Sequence, residues 1–258
     1  MSSRELKNKP LVEAILEVRW SLQQKAPGFA TDPHYRLLLG RLFDRLNKEY
    51  PVHEQLETAN IPDEMAGHTV QHRFRVAEGE WPLVQLGPGV FTVNDTAKYN
   101  WPDFRKRALE ATQHLFESYP KVESLKVESL LLRYIDAIDL PSDDSDFCSY
   151  LRDMLKVSVE LPPAFFGDTG VESSPVHFQL HQAFRCSTPP GSLQLRVAIG
   201  QKNESPALIW ETIMQSSGED VPKMLKEFEL WLEDSHKLVN DWFFKMIDGE
   251  LHRRFKGE

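Results

Sequence analysis

The chain has 258 residues, of which 41 % are hydrophobic, so it is long enough for one large domain with a substantial core. Its formal net charge of −9 at pH 7 disfavours non-specific binding to nucleic acid or to an anionic membrane, since both depend on a positive field. Two cysteines are too few for a disulfide framework, and no apolar run approaches the roughly 18 residues of a membrane span, so we expect a soluble cytoplasmic protein with no membrane partner.

The first half of the chain shows two helix patterns among strand patterns. Residues 11–22 alternate apolar and polar side chains, which predicts a half-buried strand. Thr31-Asp32-Pro33 supplies a cap and a helix-start proline for the first helix. Gly87-Pro88-Gly89 suits a type II turn between two strands, and Asn100 caps a helix predicted from Trp101 to Tyr119. The predicted strands between the two helices cover residues 69–76, 81–86 and 90–93.

The second half follows a similar order. Residues 130–140 are apolar on both faces and predict a central strand. A short helix is predicted over 146–155, and we interpret Asp143, Asp144 and Asp146 as acids that favour its start. The last helix is predicted from Val221 to Phe255. Three further strands are predicted near residues 176–185, 193–199 and 207–214.

These elements predict an α+β fold in which an antiparallel sheet carries helices on one face. We expect a single domain over residues 1–258, built from two β-α-β-β-β-α pseudo-repeats over 10–119 and 125–255. The alternative is that two similar orders arose without duplication, because the halves share no strong residue identity beyond a capped proline at each helix start.

Four segments resemble those of a sporadically distributed prokaryotic family of about 250 residues whose function is uncharacterised. The segments are Pro10–Trp20, Gln85–Val90, Leu132–Asp136 and Trp231–His236. The resemblance implies a cytoplasmic bacterial protein of about this length. It implies no particular activity, cofactor or catalytic residue.

An arginine pattern on the predicted strands is the strongest functional signal. Six arginines fall on the strand face opposite the large apolar side chains, and no lysine joins them: Arg19, Arg73, Arg75, Arg133, Arg185 and Arg196. The rigid guanidinium fork suits carboxylate or phosphate. We therefore expect a binding or interaction module that holds an anionic ligand or an acidic peptide there. The alternative is a solvated face with cross-strand pairs to Glu13, Glu17 and Glu211.

An enzyme is the second functional hypothesis. The sequence contains no Gly-x-Ser-x-Gly motif that would indicate a serine nucleophile. Among the acidic residues near the central strand, Asp136 is the candidate, and the enzyme would be a hydrolase or transferase with a site near Arg133 and Asp136. Such a site needs groups that converge within hydrogen-bond reach of a reacting atom. We expect no pocket to bring together Asp136, a histidine and Arg133.

The histidines do not predict a metal site. His68 and His72, like His177 and His181, are four residues apart, which on a strand is about 13 Å. His236 follows Glu233 by three residues, as in one half of a di-iron ligand set, but no second half is present. We expect a hydrogen-bonded His236 beside Trp231 and Trp242 instead.

The last predicted helix suggests self-association. Its aromatic side chains point in more than one direction, and they are Trp231, Trp242, Phe243 and Phe244. A helix that is apolar on several sides is either deeply buried or shared with another chain. We therefore expect a homodimer formed through this C-terminal helix.

Overall fold

The computed structural model describes residues 6–96, 98–140 and 147–258. Within them the fold is α+β, with a nine-stranded antiparallel sheet, a two-stranded hairpin and five helices. The strands are β1 Leu11–Trp20, β2 Gln23–Ala26, β3 Phe29–Thr31, β4 Val52–Gln55, β5 His72–Arg75, β6 Leu83–Gly87, β7 Val90–Asp95, β8 Val127–Asp139, β9 Gln179–Ser187, β10 Pro190–Lys202 and β11 Ser205–Ser217. The helices are α1 Tyr35–Leu46, α2 Trp101–Ser118, α3 Phe147–Leu155, α4 Phe228–Met246 and α5 Glu250–Lys256. None of these helices is long and apolar enough to cross a membrane.

The large sheet has the strand order β4-β5-β6-β7-β1-β8-β11-β10-β9. In the first half of the chain β1 pairs with β7, and β6, β5 and β4 follow outward. In the second half β8 pairs with β11, and β10 and β9 follow outward. Strands β1 and β8 pair with each other and join the halves into one sheet. A duplication would produce this order, but the first half also contains β4 and the β2–β3 hairpin, so the two pseudo-repeats stay a prediction.

One face of the sheet is covered by helices. Strand β1 buries Ala14, Leu16, Val18 and Trp20, whereas the residues between them are half-buried or exposed. The same core cluster includes Leu38 of α1, Phe104 of α2 and Leu232 of α4. We call this side the helical face and the other side the open face. The predicted α+β class with an antiparallel sheet is therefore confirmed.

Helix α2 begins where the sequence predicts. The side chain of Asn100 accepts a hydrogen bond from the backbone N–H of Asp103 at 3.1 Å, and Pro102 lies in the first turn, where no backbone donor is needed. The helix ends at Ser118, ahead of Pro120. This start places Trp101 at the edge of the helical face, where it contacts α4.

The prediction of one long helix from Val221 to Phe255 is wrong. Helix α4 begins only at Phe228, after a 3-10 turn at Gly218–Asp220 and a residue with positive φ, Leu225 at 68°. The helix then stops before Gly249, whose φ of 109° is incompatible with a helix, and α5 follows as a separate element.

Smaller differences fall in the first half of the chain. Strand β4 forms in a region that the sequence pattern leaves as loop, and the β2–β3 hairpin follows β1 directly. The turn at Gly87-Pro88-Gly89 joins β6 and β7 as predicted, with Gly89 at φ 78°, the value a type II turn requires. The start of the predicted short helix, with Asp143, Asp144 and Asp146, lies outside the described residues.

Candidate functional site

A cavity of about 260 Å³ lies between the sheet and helix α4. Its floor is formed by Tyr134 and Asp136 of β8 and Thr212 of β11. Its walls come from the start of α2, from α4 and from the segment that precedes β1. The wall residues that matter below are Tyr99, Trp101, His236, Asn240, Phe243 and Lys9. Most of this lining is aromatic or aliphatic, so the cavity offers an apolar space with a few polar groups.

The floor follows from the alternation of strand β8. Leu130 and Leu132 lie on the helical face and are fully buried, so Tyr134 and Asp136 project to the same side. In the register of the sheet, Thr212 lies opposite Tyr134, which brings the floor residues of two strands together. The strand thus changes from leucine to polar side chains on its buried face at the position of the cavity.

The cavity lies where two hydrophobic clusters meet. The larger cluster includes Leu132 and Val239, and the smaller one includes Ile138 and Trp210. Both clusters also reach Trp242 of α4. The wall residues before and at the start of α2 come from the first half of the chain, whereas the floor and the α4 wall come from the second. Ligand sites favour such junctions between structural units.

Asp136 is buried at the floor of the cavity, with 3 % of its surface exposed. No hydrogen-bond donor or cation among the described residues reaches its carboxyl group. Burial therefore acts alone and raises the pKa of Asp136 to about 8. Because the ionised form is costly without a partner, the carboxyl group is mostly protonated at neutral pH and can donate a hydrogen bond.

His236 lies in a neutral hydrogen-bonded chain on the cavity wall. Its ring stacks on Trp101, with centroids 3.7 Å apart, and its Nδ1 atom is 2.9 Å from the hydroxyl of Tyr134. That hydroxyl is 2.7 Å from the hydroxyl of Tyr99. Burial lowers the pKa of His236 to about 4 and raises the pKa of both tyrosines, so all three are neutral at pH 7.

The predicted hydrogen bond of His236 is therefore confirmed, but its predicted aromatic neighbours are wrong. The ring stacks on Trp101 because the start of α2 lies against this side of α4, whereas Trp231 packs on Phe228 of its own helix. Glu233 forms an ion pair with Arg105 of α2, so it does not act beside His236.

Two further polar groups at the cavity have no protein partner in the described part of the chain. The hydroxyl of Thr212 is buried and unpaired. The amide of Asn240 on α4 is half-buried and likewise makes no hydrogen bond to a described residue. An unmet buried polar group costs about 1–3 kcal/mol. Asp136 and Asn240 are therefore polar groups that a molecule inside the cavity would pair, whereas the hydroxyl of Thr212 has almost no accessible surface.

The six arginines singled out by the sequence all lie on the open face, away from the cavity, as the parity of their strands predicts. Arg133 and Arg196 both pair with Glu211, at 2.5 Å and 3.7 Å. The other partners are Glu17 for Arg19 at 2.6 Å, Glu54 for Arg75 at 2.6 Å, Asp220 for Arg185 at 3.5 Å and Gln85 for Arg73 at 2.9 Å. Much of the positive charge is therefore balanced, and a ligand-binding role for these arginines stays a prediction.

Arg133 and Asp136 cannot belong to one site. Residues three apart on a strand project to opposite faces, so Arg133 points to the open face and Asp136 to the cavity. Arg133 does not line this cavity, so the cavity does not bring Asp136, a histidine and Arg133 together; the same expectation for the rest of the molecule stays a prediction. Two of the three groups, Asp136 and His236, nevertheless line the same cavity.

No metal site is formed in the described ranges, since they contain no group of three or more His, Cys, Asp or Glu side chains suited to holding an ion. His72 instead bonds to His53 of the neighbouring strand, with ring nitrogens 2.9 Å apart. His68 bonds to the backbone carbonyl of Trp20 at 3.1 Å. These two histidines serve internal contacts of the first half of the fold.

The aromatic residues of α4 are largely used within the chain. Trp231 is buried, Trp242 packs against Phe184 of β9, and Phe243 and Phe244 line the cavity. Their spread around the helix is explained by contacts on several sides, with the sheet, with the cavity and with the segment before β1. A homodimer through this helix stays a prediction.

Sequence reasoning missed most of the cavity. Tyr99, Thr212 and Asn240 carry no motif, and the only available signal was the change from Leu132 to Tyr134 and Asp136 on the buried face of one strand. That change places polar groups where an apolar core is expected. It indicates a buried polar site, but it does not reveal which helix faces it.

Comparison with models of known protein families and comparison with curated protein sequences find no match. The candidate site is therefore defined by the geometry of this chain, with Asp136 on the floor and His236 on the wall.

Proposed function

We propose that the protein binds a small, largely apolar molecule in the cavity, with a polar group of that molecule held by Asp136. One observation supports this most strongly: the side chain of Asp136 is almost fully buried, lines a cavity of about 260 Å³ and has no hydrogen-bond partner within the described residues. Buried polar groups in folded proteins are otherwise nearly always paired.

The composition of the cavity supports the same proposal. Tyr99, Trp101 and Phe243 offer apolar area for a flat body, while the polar floor fixes its orientation. Binding sites for small molecules commonly combine apolar walls with a few convergent polar groups. The volume equals roughly nine water molecules of the liquid, at about 30 Å³ each, so it suits a molecule with one or two rings.

A panel of one-ring and two-ring compounds tests the proposal by ligand-observed NMR. The wild-type protein is compared with Asn240→Trp, which places an indole in the cavity from α4, and with Lys237→Trp, which adds the same group at an exposed position of that helix. We expect compounds that bind the wild type and Lys237→Trp but not Asn240→Trp. An absence of binders, or binders that Asn240→Trp retains, would contradict the proposal.

A hydrolase or transferase is the second candidate, favoured by one specific observation. Asp136 and His236 line the same cavity with pKa values shifted in opposite directions, to about 8 and about 4. At pH 7 this leaves a neutral acid that can donate a proton and a neutral imidazole that can accept one, a combination suited to general acid–base chemistry. Arg133 is not part of this candidate site.

Turnover of 4-nitrophenyl acetate and 4-nitrophenyl phosphate tests the enzyme candidate. An enzyme of this kind should lose at least about a hundredfold in rate in Asp136→Asn and in His236→Gln, since general acid–base catalysis contributes about 10²–10⁴-fold. Rates that are the same in both variants as in the wild type would remove the candidate, while the binding proposal would be unaffected.

A further inference from the structure

We propose that the molecule bound in the cavity is an organic cation, a compact ring system with a protonated amine whose ammonium group pairs with the carboxylate of Asp136. This inference rests on the proposed function and names the ligand class of the same site. It follows from the state of Asp136, from the aromatic walls and from the placement of the positive charges of the chain.

The carboxyl group of Asp136 has no partner among the described residues. A carboxyl group buried without a partner is stable in two states, either neutral with its proton or ionised against a cation. Among the lining residues of the cavity the one lysine or arginine is Lys9, whose ammonium donates to the backbone carbonyl of Tyr99 at 2.7 Å and whose side chain is exposed. The cation that would complete the site must therefore come from outside the described residues.

The walls of the cavity are largely aromatic. Five aromatic side chains line the cavity, namely Tyr99, Trp101, Tyr134, Phe243 and Phe244. The faces of aromatic rings attract ammonium groups, and the attraction grows when the cation is desolvated. A buried carboxylate with aromatic rings around it therefore matches a protonated amine better than a neutral molecule of the same shape.

The placement of the cationic side chains disfavours an anion in the cavity. The six strand arginines that could hold one are on the open face and face away from the cavity. An anionic group in the cavity would find no guanidinium among the lining residues. The net charge of −9 also favours the approach of cations over anions.

Binding of an amine is coupled to a proton. Below about pH 8 Asp136 carries a proton, and an incoming ammonium group displaces it to the solvent. The other titratable groups that face Asp136 do not supply this proton: Tyr99 and Tyr134 titrate well above pH 8, His236 is neutral above about pH 4, and the ammonium of Lys9 donates to the backbone carbonyl of Tyr99.

Three probes of one shape test the proposal by calorimetry: 2-phenylethylamine, the neutral 2-phenylethanol and the anionic 3-phenylpropanoate. Affinities are compared at pH 8.5, where Asp136 is mostly ionised, and proton release is measured at pH 6.5, where it is mostly protonated. In the wild type at pH 8.5 we expect the amine to bind at least about tenfold tighter than the alcohol, the gain of one charge-assisted hydrogen bond. In Asp136→Asn, which keeps the shape, this preference should fall to about twofold or less. Asp139→Asn makes the same change at an exposed position of β8 and should behave as wild type.

Proton release gives a second readout that needs no variant. The binding heats in two buffers with different heats of ionisation give the number of protons released. Binding of the amine should release about one proton per site, and binding of the alcohol should release none. Equal affinity for amine and alcohol, a preference that Asp136→Asn retains, or no released proton would overturn the amine proposal. If the alcohol or the propanoate binds best, the proposal that the ligand is a cation fails, while the proposal that the cavity binds a small molecule is retained. If no probe binds at millimolar concentration, the amine proposal fails and the larger compound panel decides the proposed function.

Discussion

At the scale of single residues, Asp136 gives the folded protein a specific dependence on pH. The unfolded chain ionises this group above about pH 4, whereas the folded protein keeps it protonated until about pH 8. Unfolding therefore releases a proton in this window, and the contribution of Asp136 to stability falls as the pH rises, by up to about 1.4 kcal/mol per pH unit.

We expect Asp136→Asn to be more stable than the wild type, and increasingly so at higher pH. Between pH 6.5 and pH 8 the advantage of the variant in the free energy of unfolding should grow by up to about 2 kcal/mol, which urea unfolding at each pH measures. A difference that stays constant, or one that shrinks as the pH rises, would show that Asp136 ionises freely in the folded protein. Asp139→Asn is the control, because that side chain is exposed.

His236 acts in the opposite direction and over a lower window. The unfolded chain protonates it below pH 6.5, while the folded protein keeps it neutral to about pH 4, so its contribution to stability rises with pH between those values. In the wild type this rise offsets the fall caused by Asp136. We expect Asp136→Asn alone to gain up to about 3 kcal/mol from pH 4 to pH 6.5. Adding His236→Gln should remove that gain, and a gain that persists would contradict the assignment.

At the scale of elements, glycine decides where the C-terminal helices separate. Gly249 has a φ of 109°, which an L-residue adopts only with strain, whereas Gly40 lies inside α1 with nothing within 4 Å of an added methyl group. We expect Gly249→Ala to lower the free energy of unfolding by about 1 kcal/mol or more and Gly40→Ala to raise it by about 0.5–1 kcal/mol. Thermal unfolding of the two variants checks this, and equal effects of the same sign would contradict it.

Local signals predicted the elements whose boundaries depend on a few neighbouring residues. Helix α2 begins at its Asn100 cap, and the β6–β7 turn forms at Gly87-Pro88-Gly89, because caps and turns are local chemistry. The final helix was predicted too long, since its apolar spacing continues through residues that break it, Leu225 and Gly249. Strand β4 was missed because pairing with β5 stabilises it more than its own pattern does.

The site was harder to predict than the fold. The alternation of β8 shows that Arg133 and Tyr134 face opposite sides, and Asp136 was recognised as a candidate from its strand alone. The cavity itself arises from packing between α4, the start of α2 and the sheet, over sequence separations from 35 to more than 100 residues. Local sequence patterns do not predict how tightly these distant elements pack.

At the scale of the whole molecule, the sheet separates two polar surfaces, and we expect them to act independently. The arginines of the open face pair with acids there, and the cavity lies on the helical face. We expect Arg133→Gln combined with Arg196→Gln to change the affinity of the cavity for 2-phenylethylamine by less than about twofold. Measured by calorimetry, a loss of tenfold or more would mean that the two faces are coupled.

The same double variant tests the anion hypothesis for the open face. If that face holds an anionic ligand, binding of acidic compounds should disappear in the variant while thermal stability is retained. A wild-type protein that binds no acidic compound would leave Arg133 and Arg196 with a structural role, as the two partners of Glu211.

The central claim is that the cavity at Asp136 is the ligand site of this protein. A crystal structure of the wild type soaked with the tightest compound from the panel tests it most directly. We predict density for the compound in the cavity, with a polar atom within about 3.2 Å of the carboxyl group of Asp136, the range of a hydrogen bond. Density on the open face beside Arg133 and Arg196, with the cavity unchanged, would contradict the claim.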